Sequence, residues 1–262
     1  MLRAAPVLFL LAASAASVVV PAPAAPRPGV WFSGDFETGG LEGWSWDRAR
    51  RDSIVVVTQP VRKGRYAVRL TLAPGDIAAS KERVELKIAD KEIERLHGSP
   101  GREMWYGWSF FVPIDYADPP GGQFQIVGQW HHRPASDKPS HVIGPPPLAL
   151  RLASRDRLST LILVGRASPN APTRTLGARP VRRGAWSDLV FHIKWSTGSD
   201  GFVEAWLDGR PLTPGRMYGR TLYGSISNYL RLGLYRGKGF LTTNHVYYDE
   251  VRIGDTYQAV SP

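Results

Sequence analysis

Tyr229-Leu230-Arg231-Leu232-Gly233-Leu234-Tyr235 alternates leucine with polar or small residues along its whole length. In a β-strand successive side chains point to opposite faces, so residues two apart share one. The stretch therefore reads as a strand with three leucines behind and Tyr229, Arg231, Gly233 and Tyr235 in front. A glycine in the middle of a strand marks close approach, and Gly233 is read here as a place where a ligand comes near. Two shorter stretches repeat the pattern. Arg83-Val84-Glu85-Leu86-Lys87 puts Arg83, Glu85 and Lys87 in front of Val84 and Leu86, and Gln129-Trp130-His131 puts Gln129 and His131 in front of Trp130.

Outward from these three, the same period of two marks strands over 53–59, 66–72, 82–88, 104–112, 123–131, 148–152 and 158–164. It continues over 186–195, 202–207, 229–235 and 245–253. Asp208-Gly209 between Trp206 and Pro211 predicts a tight hairpin turn. Only 91–96 reads as helical. The 27 Gly and 22 Pro fall largely between the apolar-alternating runs, the punctuation of strands and turns. So many strands with no long helix predict an all-β fold, two packed antiparallel sheets in a sandwich or jelly roll, built as one domain over residues 26–262. The segments 133–147 and 167–183, rich in Pro, Ser and basic residues, are expected to be irregular loops that rim a cleft.

The chain opens with Met1-Leu2-Arg3, an apolar run to Val20, and Ala22-Pro23-Ala24. That is the form of a secretory signal peptide over residues 1–25, which predicts an exported, extracellular protein. Cysteine is absent, so neither a thiolate nucleophile nor disulfide stapling is available. With 43% hydrophobic residues and nine Trp the chain is able to bury a large core. The net charge of +10 favours an anionic partner. Export turns that expectation from nucleic acid toward acidic polysaccharide, with no membrane partner once the signal is removed.

Each alternating stretch also has a plain structural reading. Arg83, Glu85 and Lys87 form a cross-strand salt-bridge ladder if their face is solvated, and the two tyrosines are outer-face packing. The 123–131 run puts Gln123, Gln125, Val127, Gln129 and His131 on one face, an amide-rich surface suited to lining a substrate groove. Taken together the fronts offer a guanidinium that matches a carboxylate (Arg83), an imidazole for proton transfer (His131) and a phenol beside cations (Tyr235). Glu85 is expected to orient Arg83. Of the other histidines, His192 reads as structural, His132 as facing away from His131 unless the strand has ended there, and His97, His141 and His245 have no chemical partners in the sequence. No spacing of histidines suits a catalytic zinc. Neither a run of closely spaced carboxylates nor a G-x-S-x-G elbow is present.

These residues resemble the jelly-roll polysaccharide lyases. R-x-E-x-K at 83–87, Q-W-H at 129–131 and Y-L-R-L-G-L-Y at 229–235 are similar to the signature strands R-x-E-x-R, Q-I-H and Y-F-K-A-G-x-Y of alginate lyases. The flanking text, including Asp35-Phe36-Glu37-Thr38-Gly39 and Trp186-Ser187-Asp188-Leu189, resembles the heparin lyase I-like and glucuronan lyase branch. The resemblance implies a β-jelly-roll, concanavalin-like enzyme that splits a uronate polymer by β-elimination, with glucuronan, a heparin-like glycosaminoglycan or alginate as substrate. It implies Arg83 and Gln129 as neutralisers of the uronate carboxylate, His131 as base or donor, and Tyr235 as donor to the leaving oxygen. Glu85, Lys87, Gln125, Tyr229 and Arg231 are expected to bind substrate. It further implies a structural Ca2+, with Glu37 and Asp249 as hard-oxygen ligands, no organic cofactor, and a monomer. A non-catalytic carbohydrate-binding module of the same fold is the rival reading, and it has no need of a proton-transfer pair.

Overall fold

A computed structural model describes residues 27–88, 91–121, 123–132, 144–224, 226–237 and 239–262. The expected signal segment, residues 133–143 of the first predicted loop, and His141 lie outside the described residues. Along the chain the first strands are Val30–Gly34 (β1), Ser45–Asp47 (β2), Ile54–Val57 (β3), Ala67–Leu72 (β4), Ile77–Ala78 (β5) and Lys81–Lys87 (β6). Next come Glu103–Phe111 (β7), Gln125–His132 (β8), Leu148–Arg155 (β9), Leu158–Gly165 (β10), Arg174–Val181 (β11) and Trp186–Lys194 (β12). The last are Phe202–Leu207 (β13), Arg210–Pro211 (β14), Met217–Tyr218 (β15), Asn228–Arg236 (β16) and Asn244–Gly254 (β17). Lys91–Leu96 is a 3-10 helix, and Tyr257–Val260 forms a one-turn α-helix, α1. Among the described residues no helix is long and apolar enough to cross a membrane.

One sheet runs β14-β13-β12-β7-β17-β4-β3, with β1 beside β17 and β15 beside β13. The other runs β11-β10-β9-β8-β16-β6-β2, with β5 beside β6. The pairings are antiparallel throughout the two sheets, so the chain is the expected jelly-roll sandwich. The Asp208-Gly209 hairpin is formed, with both residues at positive φ (51° and 70°) between Leu207 and Arg210. That is the twist a two-residue turn needs to match its strands. Asp156-Arg157 makes the same turn between β9 and β10 without glycine.

The predicted loop 167–183 needs correcting, because nearly half of it is the strand β11. Its Gly177 and Pro180 weaken a central strand, but β11 is the outermost strand of its sheet, where a missing N–H donor leaves no ladder bond unmade.

Between the sheets lies one large apolar core. Trp130 is fully buried there, edge-on to Phe191 at 5.0 Å and to Tyr106 at 5.4 Å. Behind the polar front of β8, then, tryptophan fills core volume that the related alginate-lyase motif gives to isoleucine. Tyr248 of β17 crosses from the opposite sheet, and its hydroxyl donates to the carbonyls of Val127 and Gly233 (3.2 Å for the latter). Both acceptors sit where the ladders of β8 and β16 lose register. Tyr248→Phe leaves two buried carbonyls without that donor and is expected to cost about 1–3 kcal/mol, read as a lower midpoint in denaturant with an unchanged slope.

Candidate active site

The three motif strands are neighbours, with β16 in the middle, β8 on one side and β6 on the other. Residues directly opposite in an antiparallel pair share a face. Tyr229 lies opposite His131, and Arg231 lies opposite both Gln129 and Lys87. Gly233 lies opposite Glu85, and Tyr235 opposite Arg83. Along this one face the imidazole of His131 comes first, the cluster around Arg231 next, and the phenol of Tyr235 last.

Glu85 is the hub of the cluster and is 1% exposed. Its Oε1 accepts from Gln129 Nε2, and its Oε2 faces Arg231 at 2.8 Å and Arg83 at 3.4 Å. Asp47, on the edge strand β2 opposite Glu85, pairs with Arg231 and accepts from Lys87 at 2.6 Å. Asp47 is the functional-site residue that sequence reasoning missed. The alternation Ser45-Trp46-Asp47 was its only local signal, and three residues are too few to mark a strand.

Arg83, Lys87 and Arg231 thus enclose two carboxylates, which leaves one net positive charge on this cluster. Burial works against the charge on Arg231, but Glu85, Tyr229 and Asp47 outweigh it and raise its pKa. Burial likewise pushes the Asp47 carboxyl up. Its hydrogen bond from Lys87 and the charges of Arg231, Lys87 and Arg83 reverse that and hold it below its usual value.

His131 Nδ1 lies 2.8 Å from the carbonyl oxygen of His132. A carbonyl only accepts, so Nδ1 carries the proton and Nε2 presents a lone pair. Burial drives the imidazole pKa down to about 3; the His132 carbonyl opposes this, and Arg231, His132 and Arg83 add to it. His131 is therefore neutral at and above neutral pH. The unfolded chain takes up a proton near pH 6.5 and the folded one only near pH 3, so the contribution is whole above pH 6.5 and is lost as pH falls toward 3. Within that window His131 adds a slope of up to about 1.4 kcal/mol per pH unit. His131→Asn is expected to flatten the acid limb of a stability-versus-pH curve; an unaltered limb would show that the imidazole titrates normally.

Tyr235 is half-buried, with the Arg83 guanidinium 4.4 Å from its ring centroid and Phe124 edge-on at 5.4 Å. Tyr229 is more deeply set, 6.2 Å from the rings of both His131 and His97, and burial raises its pKa. His132, expected to face away from His131, is instead buried with its ring centroid 4.5 Å from that of His131, and His192 is on the other sheet, stacked 3.9 Å from Trp105 and bonded to Glu103 at 2.6 Å.

Two further expectations about this face fail. Gln125 does not line the face. Where Ile126 and Gly128 of β8 meet Arg151 and Leu150 of β9 the register slips by one residue, and Val127 joins Trp130 in the main core. This bulge inverts the alternation on its far side, so Phe124 and Ile126 join Tyr235 in a satellite cluster. Gln125 turns inward, 1% exposed, where it accepts from the Tyr116 hydroxyl at 2.7 Å. Gly233 is not a mark of ligand approach either. A Cβ there would stand 2.1 Å from the Val84 carbonyl oxygen, and φ is +150°; the backbone that comes close is β6.

Glu37 and Asp249 were expected to hold calcium. Glu37 accepts from the amides of Arg65 and Tyr66, and Asp249 from those of Arg62, Lys63 and Glu250. N–H groups aimed at the carboxylate oxygens compete with a cation for the same lone pairs. No group of three or more His, Cys, Asp or Glu that could hold a metal gathers among the described residues. This donor set fits a clasp on the loop 62–66 and does not fit calcium.

The family model described as polysaccharide lyase matches residues 36–252. No curated protein matches the chain. An endo-β-1,4-glucuronan lyase from the fungus Trichoderma reesei is similar in structure, with a TM-score of 0.64 and 24% identity over 89% of this chain and 98% of that one. An alginate lyase from Pseudomonas aeruginosa gives 0.54 and 14% over 81% and 98%. The catalytic domain of a glycoside hydrolase family 131 protein from Coprinopsis cinerea gives 0.58 and 12% over 89% and 98%. A hydrolase shares the fold, so chemistry has to be argued from the site.

Proposed function

The chain belongs to the polysaccharide lyase family and is an enzyme of that class; from this premise we propose that it is exported and splits a uronate polymer by β-elimination. The observation that carries the reading is the register of β8, β16 and β6, which sets a clamp of one net positive charge between an imidazole and a phenol. One uronate carboxylate neutralises that clamp.

The hydrogen on C5 of a uronate becomes acidic only when the neighbouring carboxylate is relieved of its charge. Arg83, Arg231 and the Gln129 amide supply positive potential and donors for this, held in place by Glu85 and Asp47. Donors fixed before the reaction stabilise the developing enolate-like anion at little reorganisation cost, an effect of about 3–4 kcal/mol per well-placed donor. The C5–H electron pair then becomes the C4–C5 double bond as the bond from C4 to the glycosidic oxygen breaks. Tyr235 hands a proton to that oxygen.

Which group takes the C5 proton follows from the sugar. If the hydrogen lies on the same side as the leaving oxygen, Tyr235 as phenolate takes it and returns it. If it lies opposite, Nε2 of His131 takes it and Tyr235 acts as acid only. The substrate carboxylate offsets the charges of Arg231 and Arg83 that help depress the imidazole, which makes His131 a better base in the complex than alone.

Glucuronan stands first among the substrates in this reading, ahead of a heparin-like glycosaminoglycan and alginate. The purified mature protein is to be incubated with each polymer while the ultraviolet absorbance of the unsaturated product is followed. A rise on at least one is expected. Binding with no rise on any of them would refute β-elimination of uronates and leave a carbohydrate-binding role.

A further inference from the structure

Beside the clamp, on the same face, two arginines carry charge that no described carboxylate offsets. Arg151 of β9 lies opposite Ile126 of β8 and Ile162 of β10, and Ile126 lies opposite Tyr235. Arg151 therefore stands two strand spacings, about 10 Å, from Tyr235. Its guanidinium is 5.9 Å from the ring centroid of Phe124, and its Nε is buried without a hydrogen-bond partner among the described residues. Arg166, just past β10, is tied down by its own amide to the Pro147 carbonyl at 2.9 Å and by its guanidinium to the Ala171 carbonyl at 2.5 Å. Burial, together with the nearby charge of Arg166, holds the Arg151 pKa below the usual guanidinium value. Around them the face is apolar, formed by Ile126, Ala149 and Val164 with Phe124 and Ile162 against them.

Arg83 and Arg231 share Glu85, whereas neither Arg151 nor Arg166 forms an ion pair with a described residue. Arg166 lies four positions beyond Ile162, the residue of β10 opposite Arg151; the two like charges repel one another across this partly dehydrated face, and an anion between them relieves the repulsion. A guanidinium matches a carboxylate in two parallel hydrogen bonds, and an apolar floor with an aromatic ring suits the faces of a sugar.

We infer that Arg151 and Arg166 form a second carboxylate-binding subsite, which takes the uronate next along the polymer from the one in the clamp. The inference rests on the polyuronate reading above.

Its test uses Arg151→Gln, Arg166→Gln and Arg151→Lys in the full mature chain, with polyglucuronate as the probe in steady-state elimination and in affinity electrophoresis. Each glutamine variant is expected to raise KM and weaken binding by about tenfold at low ionic strength, with kcat unchanged. Arg151→Lys, which keeps the charge but not the two parallel hydrogen bonds, recovers part of the loss. The Tm of Arg151→Gln stays equal to or above wild type, because a repulsion has been removed and no hydrogen bond of the Arg151 Nε is lost. A merely structural arginine would behave oppositely, with Tm and kcat falling together. Unchanged KM and binding in both glutamine variants, or a loss of kcat that follows a loss of Tm, overturns the subsite. If wild type binds polyglucuronate but eliminates no polyuronate, the lyase reading fails, and the binding arm still decides for or against the arginine pair.

Discussion

Tyr235→Phe is expected to lower kcat by about 10²- to 10⁴-fold on every polyuronate the enzyme accepts, the range for removing a general acid–base group. The substitution deletes one oxygen and keeps the ring. The ring holds its place by contacts that do not need the hydroxyl, namely the Arg83 guanidinium over its face and Phe124 against its edge. Tm and polymer binding should therefore stay near wild type while turnover collapses, the pattern of an interaction made in the transition state. Tyr235 protonates the leaving oxygen whichever side of the ring carries the C5 hydrogen, so changing substrate cannot rescue the variant. His131→Asn is the complement: it abolishes only the elimination in which proton and leaving oxygen lie on opposite sides. Product release measured by ultraviolet absorbance decides the matter, and turnover by Tyr235→Phe within about tenfold of wild type would remove the phenol from the chemistry.

Arg231→Ala should damage stability and catalysis together. Arg231 is 4% exposed, and its guanidinium faces Glu85 and Asp47. Its removal strands a buried carboxylate, which costs about 3–5 kcal/mol, read as a large fall in Tm. It also takes from the clamp its central cation, worth about 10²- to 10³-fold in rate by analogy with the loss of one oxyanion donor. The second variant separates the two effects. Glu85→Gln in the Arg231→Ala background relieves the stranded charge and should restore much of the Tm with no gain in turnover. Recovery of both would mean that Arg231 supports the fold and takes no part in the reaction. Failure to recover Tm would mean that Glu85 is not the partner that matters.

Legibility from sequence followed the regularity of the backbone. The motif strands alternate cleanly over their central residues, so the front formed by Arg83, Glu85, Lys87, Gln129, His131, Tyr229, Arg231 and Tyr235 could be read from parity alone. Gln125 could not, because one extra residue in β8 inverts every side chain beyond it and nothing in Gln125-Ile126-Val127-Gly128 announces a bulge. Gly233 carried a correct signal with the wrong cause: a backbone does come close, but it is that of β6. In 167–183 the composition of a loop was the composition of an edge strand. Asp47 and the pair Arg151 and Arg166 are remote in sequence from the residues they serve, and no local pattern connects them.

The sequence by itself determined the all-β class, the core side of the regularly alternating motif segments and the chemical types in the motifs, because those depend on the two-residue period and on side-chain identity. Tertiary structure alone decided the order β8-β16-β6, the one net positive charge left after Asp47 and Glu85 take their partners, and the neutral, lone-pair-bearing state of His131. Each of these depends on which distant groups are brought within a few ångströms and shielded from water. Strand pairing does that, and a linear pattern does not encode it.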